Sequence, residues 1–384
     1  MKIAYLSVSW FADIDFSIIH AMKTKVDPHY FLVVTPYSLK STSVNIEKQY
    51  PVHGIFRANI YPEIEKFSGF IDMEKTYIVN LCHNKIKNAF VIVKLLHLLL
   101  KMKLDALHTT FYYPVIMFPL LALCKKTFLT VHDPIPHSDV TGGKDSLYRK
   151  VMFAFIKNII LLNKSQELEF IRKYKLQDKN IHISKLGVYD YLHIYGNTMS
   201  LAVDANKKYI LFFGRITKYK GLDYLMPAMK IVNQTHGNIR LVVAGSCKNY
   251  YFDISEYEDC PYIEIRNRFI PDDELAPLIK NSLFVVCPYV DATQSGVVMS
   301  AFALNVPVLA TDTGGLPEYV EHMKSGYIVP PKDTNALADG IKFLLDNEGV
   351  LEKQRKYIME RYETGENSWD KITDDIIRFY EVCR

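Results

Sequence analysis

The sequence has few cysteines, and their spacing is not that of metal ligands or redox pairs. Six cysteines occur in 384 residues, with no CxxC pair. They are Cys82, Cys124, Cys247, Cys260, Cys287 and Cys383, and most lie in apolar runs. We therefore expect reduced, buried thiols of a cytosolic protein rather than a disulfide framework or a zinc site. The Asp and His residues show no metal-ligand spacing either.

Long hydrophobic runs and the common nucleotide-binding loops are also absent. The apolar segments at 88–100 and 111–124 are short and are interrupted by polar residues or prolines, so neither can span a membrane. The first ten residues, MKIAYLSVSW, run into Asp13 and Asp15 and predict a β-strand rather than a signal peptide. No GxxxxGK[ST] or GxGxxG motif occurs, which removes the usual support for an ATPase or an NAD-dependent enzyme.

Positive charge is concentrated in the N-terminal half. Residues 1–190 carry 25 Lys and Arg against 16 Asp and Glu, whereas residues 191–384 carry 21 against 26. A basic half suits an anionic acceptor or an anionic lipid surface, although a solvated basic face explains it equally well. We expect a cytoplasmic protein without a nucleic-acid partner. Peripheral association with the inner face of the membrane through this basic half stays open.

Apolar runs alternate with helical patterns along the whole chain, which has 49% hydrophobic residues. This length and composition favour two domains, and the alternation predicts parallel sheets covered on both faces. The pattern weakens between Gly187 and Lys207 and then restarts. The predicted fold is α/β, with two doubly wound, Rossmann-like domains and a cleft between them. The predicted segments are an N-terminal domain at 1–190, a hinge at 191–207, a C-terminal domain at 208–365 and a helix at 366–384 that packs back on the first domain.

The predicted elements follow the same alternation in both halves. The predicted strands are Ile3–Ser9, Phe31–Val34, His53–Phe56, Asp105–His108, Phe128–Val131, Ile159–Leu162, Tyr209–Phe213, Arg240–Ala244, Tyr262–Ile265, Leu283–Val286 and Val306–Thr311. The predicted helices are Phe16–Lys23, Ile86–Met102, Pro114–Cys124, Gln166–Lys173, Gly221–Val232, Asp272–Lys280, Val297–Leu304, Asn335–Leu345, Val350–Arg361 and Ser368–Val382.

Glycines and polar residues that favour turns are most concentrated between Asp291 and Pro331. A first polar loop, TQSG at 293–296, precedes one predicted helix, and a second, TGG at 313–315, precedes the next. Unpaired backbone N–H groups and the helix dipole both favour negative charge at helix N-termini. Two such loops in succession therefore predict a site for an anionic ligand.

Two cations flank another loop that connects a strand to a helix. Gly214 and Arg215 directly follow the strand ILFF, and Lys220 opens the next helix with Gly221. Both cations would lie at the carboxyl edge of the sheet, where Arg215 can bind a diphosphate in a bidentate way and Lys220 adds a point charge. Two surface cations on an ordinary loop are the alternative.

Histidines follow two neighbouring predicted strands of the first domain. His132 and Asp133 come directly after the strand FLTV, and His108 ends the preceding strand, so the two histidines are expected to be neighbours. Residues on loops at a carboxyl edge are often functional, but a structural histidine is the ordinary alternative. The aromatic segment FYYP at 111–114 either lines an acceptor groove or packs in the core.

The residues over 208–345 resemble those of the retaining GT-B glycosyltransferases of family 4, also called group 1. The resemblance rests on FFGRITKYKG, LVVAG, FIPDDELAPLIKNSLFVVCPY, ATQSGVVMSAFALNVPVLATDTGGLPEYV and SGYIVPPKD, in that order. It implies transfer of a hexose from a nucleotide-diphosphate-sugar to a glycan or lipid-linked acceptor, in surface polysaccharide synthesis. It further implies retention of the anomeric configuration, no cofactor and no required metal.

The resemblance also implies roles for particular residues. Arg215 and Lys220 match the family's diphosphate clamp, and His132 matches the histidine that approaches the donor sugar. The expected donor-binding residues are Gly214, Gly245, Phe269, Ile270, Thr293, Gln294, Ser295, Gly296, Val297, Gly314, Gly315 and Glu318. The expected acceptor-side residues are Ser9, Trp10, His108 and Asp133.

Two features depart from the family pattern. The family's Glu-x7-Glu positions hold Ala292 and Ser300, so Gln294, Ser295 and Glu318 are expected to take over recognition of hydroxyl groups. The first strand lacks the family's glycine-rich loop, and no glycine occurs before Gly54. A non-catalytic, nucleotide-binding pseudoenzyme or scaffold is therefore the main alternative. A sugar-nucleotide epimerase of the same architecture is another.

Overall fold

The computed structural model of the chain describes residues 1–38, 43–46, 53–110, 116–135, 143–195, 208–247, 255–257, 260–292 and 294–383. The chain divides into two compact units. Unit 1 comprises Met1–Gly187 and Trp369–Arg384, and unit 2 comprises Val188–Ser368. The boundary lies ahead of the predicted hinge at 191–207, of which residues 196–207 fall outside the described ranges.

Unit 1 is built on one sheet with helices along the connections. Its described strands are β1 Lys2–Val8, β2 Asp27–Val34, β3 Gly54–Arg57, β4 Thr76–Asn80, β5 Ala106–Thr109, β6 Thr127–Val131, β7 Asn158–Leu161 and β8 Asn180–Ile183. Its first six described helices are α1 Ala12–Met22, α2 Pro62–Glu65, α3 Lys85–Lys101, α4 Met117–Ala122, α5 Gly143–Phe155 and α6 Glu167–Tyr174. The strand order is β3-β4-β2-β1-β5-β6-β7-β8, and the pairs are parallel except for β3 with β4. The expectation of an all-parallel sheet is therefore wrong at this edge.

Unit 2 has the same architecture with a smaller sheet. Its described strands are β9 Tyr209–Phe213, β10 Arg240–Ala244, β11 Ile263–Arg266, β12 Val285–Cys287, β13 Val308–Thr311 and β14 Gly326–Val329. Its described helices are α7 Leu222–Asn233, α8 Asp272–Lys280, α9 Gly296–Ala303, α10 Leu316–Tyr319, α11 Thr334–Asp346 and α12 Glu348–Met359. The strand order is β11-β10-β9-β12-β13-β14, and every pair of neighbouring strands is parallel.

The composition of the strands explains why both sheets are covered on both faces. All five residues of β9, YILFF, are buried, and six of the seven residues of β1 are buried as well. Strands that are apolar at every position have no face for water, so helices must pack on both sides. Polar caps fix where several of these helices begin. Asn84 accepts the first N–H groups of α3, and Asp333 accepts the Ala336 N–H at the start of α11.

The last helix, α13 Trp369–Val382, belongs to unit 1. Lys25, which follows α1, forms ion pairs of 2.7 Å with both Asp370 and Asp374. On the buried face of α13, the Tyr380 hydroxyl forms a hydrogen bond with His108 Nδ1. The C-terminal segment thus contributes both apolar packing and a buried polar contact to unit 1.

The strand order of unit 2 determines where a ligand can bind. The chain winds outward from β9 to β11 on one side and returns through β12 to β14 on the other, so the winding direction reverses between β9 and β12. In doubly wound sheets, the loops after the two strands at such a switch point diverge and leave a crevice beyond their carboxyl ends. The loops that follow β9 and β12 are therefore the natural ligand site of unit 2.

The cysteines match the sequence prediction in part. All six are free thiols, but only Cys287 is buried. The other five lie at or near the ends of strands and helices, where side chains reach the surface, so the expectation of buried thiols is wrong for them. No helix in the part of the chain that the structure describes is both long enough and apolar enough to cross a membrane.

Candidate functional site

The loop after β9 brings three predicted donor-site residues together. Gly214 has a left-handed φ of 97°, which an L side chain rarely adopts. A Cβ atom at this position would lie 2.9 Å from Lys220 Nζ and 3.4 Å from Val297 Cγ2. Gly214 therefore leaves the space that the lysine ammonium occupies, and it places that ammonium beside the first turn of α9.

Lys220 is buried, and no carboxylate of the described residues is placed to neutralise it. Its residue is only 8% exposed, and burial lowers the pKa of its ammonium to about 8. The neighbouring groups that act on this pKa are the Cys287 thiol and the Arg215 guanidinium, and no carboxylate of the described residues is among them. Arg215 is exposed and lowers the pKa further. Two cations thus lie close together, and no carboxylate of the described residues acts on the pKa of Lys220.

The side chains opposite Lys220 come from the end of β12. Lys220 Nζ lies 5.2 Å from the centre of the Tyr289 ring, a cation–π distance. Burial raises the pKa of the Cys287 thiol to about 12, so it is neutral and supplies no negative charge. Neither residue is among the site residues predicted from the sequence. The available signal was their position at the carboxyl end of a buried strand, as for Gly214 after β9.

Backbone contacts hold the loops after β9, β10 and β12 in place. The Gly214 N–H donates to the Ala244 carbonyl at 3.0 Å, and the Val290 N–H donates to the Tyr219 carbonyl at 2.7 Å. A Cβ atom at Gly245 would lie 1.8 Å from the Gly214 carbonyl oxygen, so only glycine permits this approach. Gly245, predicted from the LVVAG segment, thus supports the loop that carries Gly214.

The TQSG loop lies at the start of α9. Ser295 is the N-cap residue, and its buried hydroxyl accepts the Val298 N–H at 3.4 Å. Gly296 begins the helix, and Gln294 is half-buried just before it. Thr293 lies outside the described residues. The first turn of this two-turn helix lies near Lys220, because a Cβ atom at Gly214 would lie within 3.4 Å of both Lys220 Nζ and Val297 Cγ2.

The TGG loop is held by the backbone of residue 292. Gly315 donates its N–H to the Ala292 carbonyl at 3.3 Å, and a Cβ atom at Gly314 would lie 1.6 Å from that same oxygen. The following helix α10 is a single turn, and Glu318 on it is exposed. A single turn aligns few peptide dipoles, so α10 contributes less to anion binding than the sequence suggested.

The predicted base-binding residues lie at the edge of the sheet, in the same half as β9. Phe269 and Ile270 are in the loop between β11 and α8. The Phe269 side chain is 55% exposed, whereas Ile270 is buried at 7%. Strand β11 is two places from β9 in the sheet, which corresponds to roughly 10 Å at the usual strand spacing. Phe269 therefore presents an exposed aromatic ring at some distance from Lys220, and the structure gives no contact that joins the two.

In unit 1, His132 follows β6 and stacks on an aromatic ring. The ring centres of His132 and Phe11 are 4.3 Å apart, with an angle of 12° between the planes. His132 keeps part of its surface exposed, and burial of its ring lowers its pKa to about 4. With this lowered pKa, His132 is a neutral imidazole at neutral pH. The backbone carbonyl of Asp133 accepts a 2.6 Å hydrogen bond from Arg149.

His108 is a buried neighbour of His132. It is 1% exposed, and its Nε2 forms a 2.7 Å hydrogen bond with Thr130 Oγ1, while Nδ1 bonds the Tyr380 hydroxyl. Burial lowers the pKa of His108 to about 3, and the charge of His132 contributes to that shift. The two histidines are therefore close together, as the strand pattern predicts. The partners of His108 show that it has a structural position inside unit 1.

The remaining acceptor-side residues differ in exposure. Ser9 is fully buried and donates a 2.5 Å hydrogen bond to the Ser38 carbonyl, whereas Trp10 is 45% exposed. The FYYP segment at 111–114 lies outside the described ranges. Across those ranges, no group of three or more His, Cys, Asp and Glu side chains is arranged to hold a metal ion.

Comparison with known proteins finds a family match that lies within the second unit, and a relative over about half of the chain. Residues 207–347 match the model of the family described as glycosyl transferases group 1. An uncharacterised glycosyltransferase of Methanocaldococcus jannaschii, MJ1607, is 31% identical over 195 residues, which cover 48% of this chain and 47% of that protein. The chain thus spans about half the length of the first curated relatives it matches.

Solved structures resemble the chain over its whole length. Sucrose-phosphate synthase of Thermosynechococcus elongatus has a TM-score of 0.68 at 17% identity, covering 100% of this chain and 98% of its own. Anabaena HepE in complex with UDP-glucose has a TM-score of 0.68 at 13% identity, covering 100% and 99%. Likeness at such low identity establishes the fold alone. It confirms the predicted fold class, GT-B, with two Rossmann-like α/β sheets.

Proposed function

We propose that the chain is a retaining glycosyltransferase that moves a hexose from a nucleotide-diphosphate-sugar to a glycan or lipid-linked acceptor. The observation that carries this proposal is the environment of Lys220. A buried ammonium beside Arg215, without a carboxylate among the described residues, is costly unless an anion binds there. Lys220 lies in the loop after β9, at the switch point of unit 2, where doubly wound sheets bind ligands.

In this proposal, Lys220, Arg215 and the N-terminus of α9 bind the donor diphosphate. Arg215 can form a bidentate contact, while the Lys220 ammonium is fixed by burial and by the Tyr289 ring. When the bond between the sugar C1 and the diphosphate oxygen breaks, negative charge grows on the diphosphate. Preorganised cations and N–H groups stabilise that charge without having to reorient. We propose that these groups supply the positive charge for which other enzymes use a metal ion.

The nucleoside and the sugar would lie on opposite sides of this diphosphate. We propose that the base stacks on the exposed Phe269 ring, which is displaced along the sheet from Lys220. The Ser295 hydroxyl already caps α9, so its capacity for a sugar hydroxyl is reduced. Gln294 and the exposed carboxylate of Glu318 are the polar side chains that we assign to the sugar hydroxyl groups.

The absence of carboxylates at two positions bears on how retention is achieved. Ala292 and Ser300 are both buried, and neither can form a glycosyl-enzyme ester at a carboxylate. We therefore propose a displacement on one face, in which the acceptor oxygen bonds to C1 on the side from which the diphosphate leaves. The departing phosphate oxygen takes the proton of the acceptor hydroxyl. The role of His132 toward the sugar stays a prediction from the family resemblance.

The experiment that tests this function is a screen for release of nucleoside diphosphate. UDP-, GDP-, ADP- and dTDP-linked hexoses would be incubated with the chain, and the products separated by ion-exchange chromatography. A transferase releases nucleoside diphosphate from at least one donor, by slow hydrolysis even without its acceptor. A pseudoenzyme would bind a donor without release, and an epimerase would convert the sugar while it stays attached. Either of those results would contradict the proposal.

A further inference from the structure

Helix α3 of unit 1 exposes an apolar stripe to solvent. Ile86, Phe90, Val93 and Leu100 are 71%, 69%, 57% and 56% exposed. They are spaced by three, four or seven residues and so lie along one side of the helix. The opposite side, with Val91, Ile92, Leu95 and Leu99, is buried in the core of unit 1. A surface helix normally has a polar outer face, so this stripe is not explained by the packing of unit 1.

A row of lysines accompanies the stripe. Lys87, Lys94 and Lys101 are exposed and are seven residues apart, which places them on one side of the helix at successive pairs of turns. Lys85 adds a fourth positive charge, and α3 contains no Asp or Glu. The helix is 17 residues long, or about 25 Å at the usual rise per residue. It therefore presents an exposed surface that is both apolar and cationic, with His97 between Val93 and Leu100.

A groove between β3 and α3 extends this cationic surface. Its volume is about 550 Å³, and its lining includes His53, Arg57, Tyr77, Lys87, Phe90 and Lys94. The Arg57 guanidinium lies 4.2 Å above the centre of the Tyr77 ring, which holds it at the groove. Cations thus reach the groove from both of its walls, beside the exposed Phe90 ring. Phosphate groups are the ligands that such paired cations favour.

We propose that the outer face of α3 and the adjoining groove dock on an anionic lipid bilayer. The apolar stripe would enter the boundary between headgroups and acyl chains, while the lysines bind anionic headgroups, as in other interfacial helices. A second copy of this chain fits less well, because its α3 carries the same lysines and no Asp or Glu, so it offers them no opposite charge. The docking surface lies wholly within unit 1 and does not depend on the function proposed for unit 2.

Vesicle co-sedimentation of the full chain tests this surface. The vesicles would be phosphatidylcholine alone, or phosphatidylcholine with about one third phosphatidylglycerol, a level at which surface potential attracts basic segments. We expect binding to the anionic vesicles that is at least about tenfold tighter than to neutral ones, and that weakens as salt screens the charges.

Two variants and two controls distinguish binding through this surface from an effect of net charge or of any exposed apolar side chain. The double variant Phe90→Ser/Val93→Ser and the triple variant Lys87→Gln/Lys94→Gln/Lys101→Gln should each weaken vesicle binding by about tenfold or more. Leu168→Ser alters an apolar side chain that is 66% exposed on α6 of the same unit. The triple control Lys353→Gln/Lys356→Gln/Lys371→Gln removes the same number of positive charges at positions outside α3. Both controls should bind as the wild-type chain does. Because the altered side chains are exposed, no variant should lower the unfolding temperature appreciably.

Several results would overturn the proposal. One is no preference of the wild-type chain for anionic vesicles. Another is equal loss of binding in the lysine variant and its control, which would show that net charge alone is responsible. A third is a change in oligomeric state, seen by sedimentation velocity, when Phe90 and Val93 are replaced while vesicle binding is unchanged. That outcome would assign the apolar stripe to a contact between proteins.

Discussion

Lys220 Nζ lies 5.2 Å from the centre of the Tyr289 ring, whose aromatic face offers the ammonium negative potential. A ring compensates only part of what an ammonium loses on leaving water, which is why burial still lowers the pKa of Lys220 to about 8. The pair explains how the free protein tolerates the cation. It also leaves the charge available for an anion.

Replacement of Lys220 by methionine should stabilise the protein. The lowered pKa corresponds to a folding penalty of about 3 kcal/mol, which is fully present below pH 8 and is relieved as the pH rises toward the unfolded pKa near 10.5. Lys220→Met should thus unfold at a higher temperature at pH 7, and the difference should shrink at pH 10. Lys218→Met, at an exposed position in the same loop, should have little effect. A marked loss of stability in Lys220→Met at pH 7 would mean that the ammonium has a stabilising partner.

Affinity for a nucleoside diphosphate should fall at alkaline pH. The cationic form of Lys220 binds the anion, and binding raises its pKa above the free value of about 8. Affinity should therefore be level between about pH 7 and 8, where the phosphates are ionised, and decline by up to about tenfold per unit above that. Calorimetry in buffers of different ionisation enthalpy should detect proton uptake near pH 8. Lys220→Arg, which stays charged, should show neither effect; the same decline in that variant would assign the titration to another group.

The close approach of two backbone segments makes Gly245 sensitive to substitution. Gly245→Ala places a Cβ atom 1.8 Å from the Gly214 carbonyl oxygen, so the two loops must separate. We expect a loss of about 2 kcal/mol or more in the free energy of unfolding, with weaker nucleotide binding. Gly237→Ala is the matched control, because its Cβ would lie 3.6 Å from the nearest atom, an ordinary contact. Equal effects in both variants would contradict the packing described for the loop.

Unit 1 should lose stability in mild acid because it buries neutral histidine. The pKa of His108 is about 3 when folded and near 6.5 when unfolded, so the unfolded chain binds the extra proton between these values. Stability should be full above about pH 6.5 and fall by up to about 1.4 kcal/mol per pH unit below it from this residue. His108→Gln should reduce the slope, whereas the exposed His193→Gln should not. Both tryptophans, Trp10 and Trp369, belong to unit 1, so their fluorescence follows its unfolding.

Much of the fold could be predicted from the sequence because its strands are buried on both faces. The run at Tyr209–Phe213 is apolar at every position, and its predicted bounds are those of β9. The direction of β3 could not be predicted, because a four-residue edge strand that is only partly buried carries no signal for its partner. Strands β4, β8 and β14 were also missed. The last two are short and partly exposed, whereas β4, TYIVN, is largely buried and was still not recognised as a strand.

Site residues that share one loop could be predicted from the sequence, whereas those brought together from different strands could not. Gly214, Arg215 and Lys220 stand out because they occupy one loop after a buried strand. Tyr289 comes about seventy residues later, and only the strand order places β12 beside β9. The sequence also could not show that the Ser295 hydroxyl is used as a helix cap, or that α10 is a single turn. Both features depend on local backbone geometry, which the residue types in these loops do not determine by themselves.

The most direct measurement is the affinity of nucleoside diphosphates for the wild-type chain, Lys220→Met and Lys218→Met by isothermal titration calorimetry at pH 7.5. UDP, GDP, ADP and dTDP would each be titrated. We predict that at least one binds the wild-type chain, that Lys220→Met binds it about 100-fold more weakly, and that Lys218→Met binds it within about threefold of wild type. If Lys220→Met bound the same nucleotide as tightly as the wild-type chain does, Lys220 would not be the phosphate ligand and the proposed donor site would be wrong.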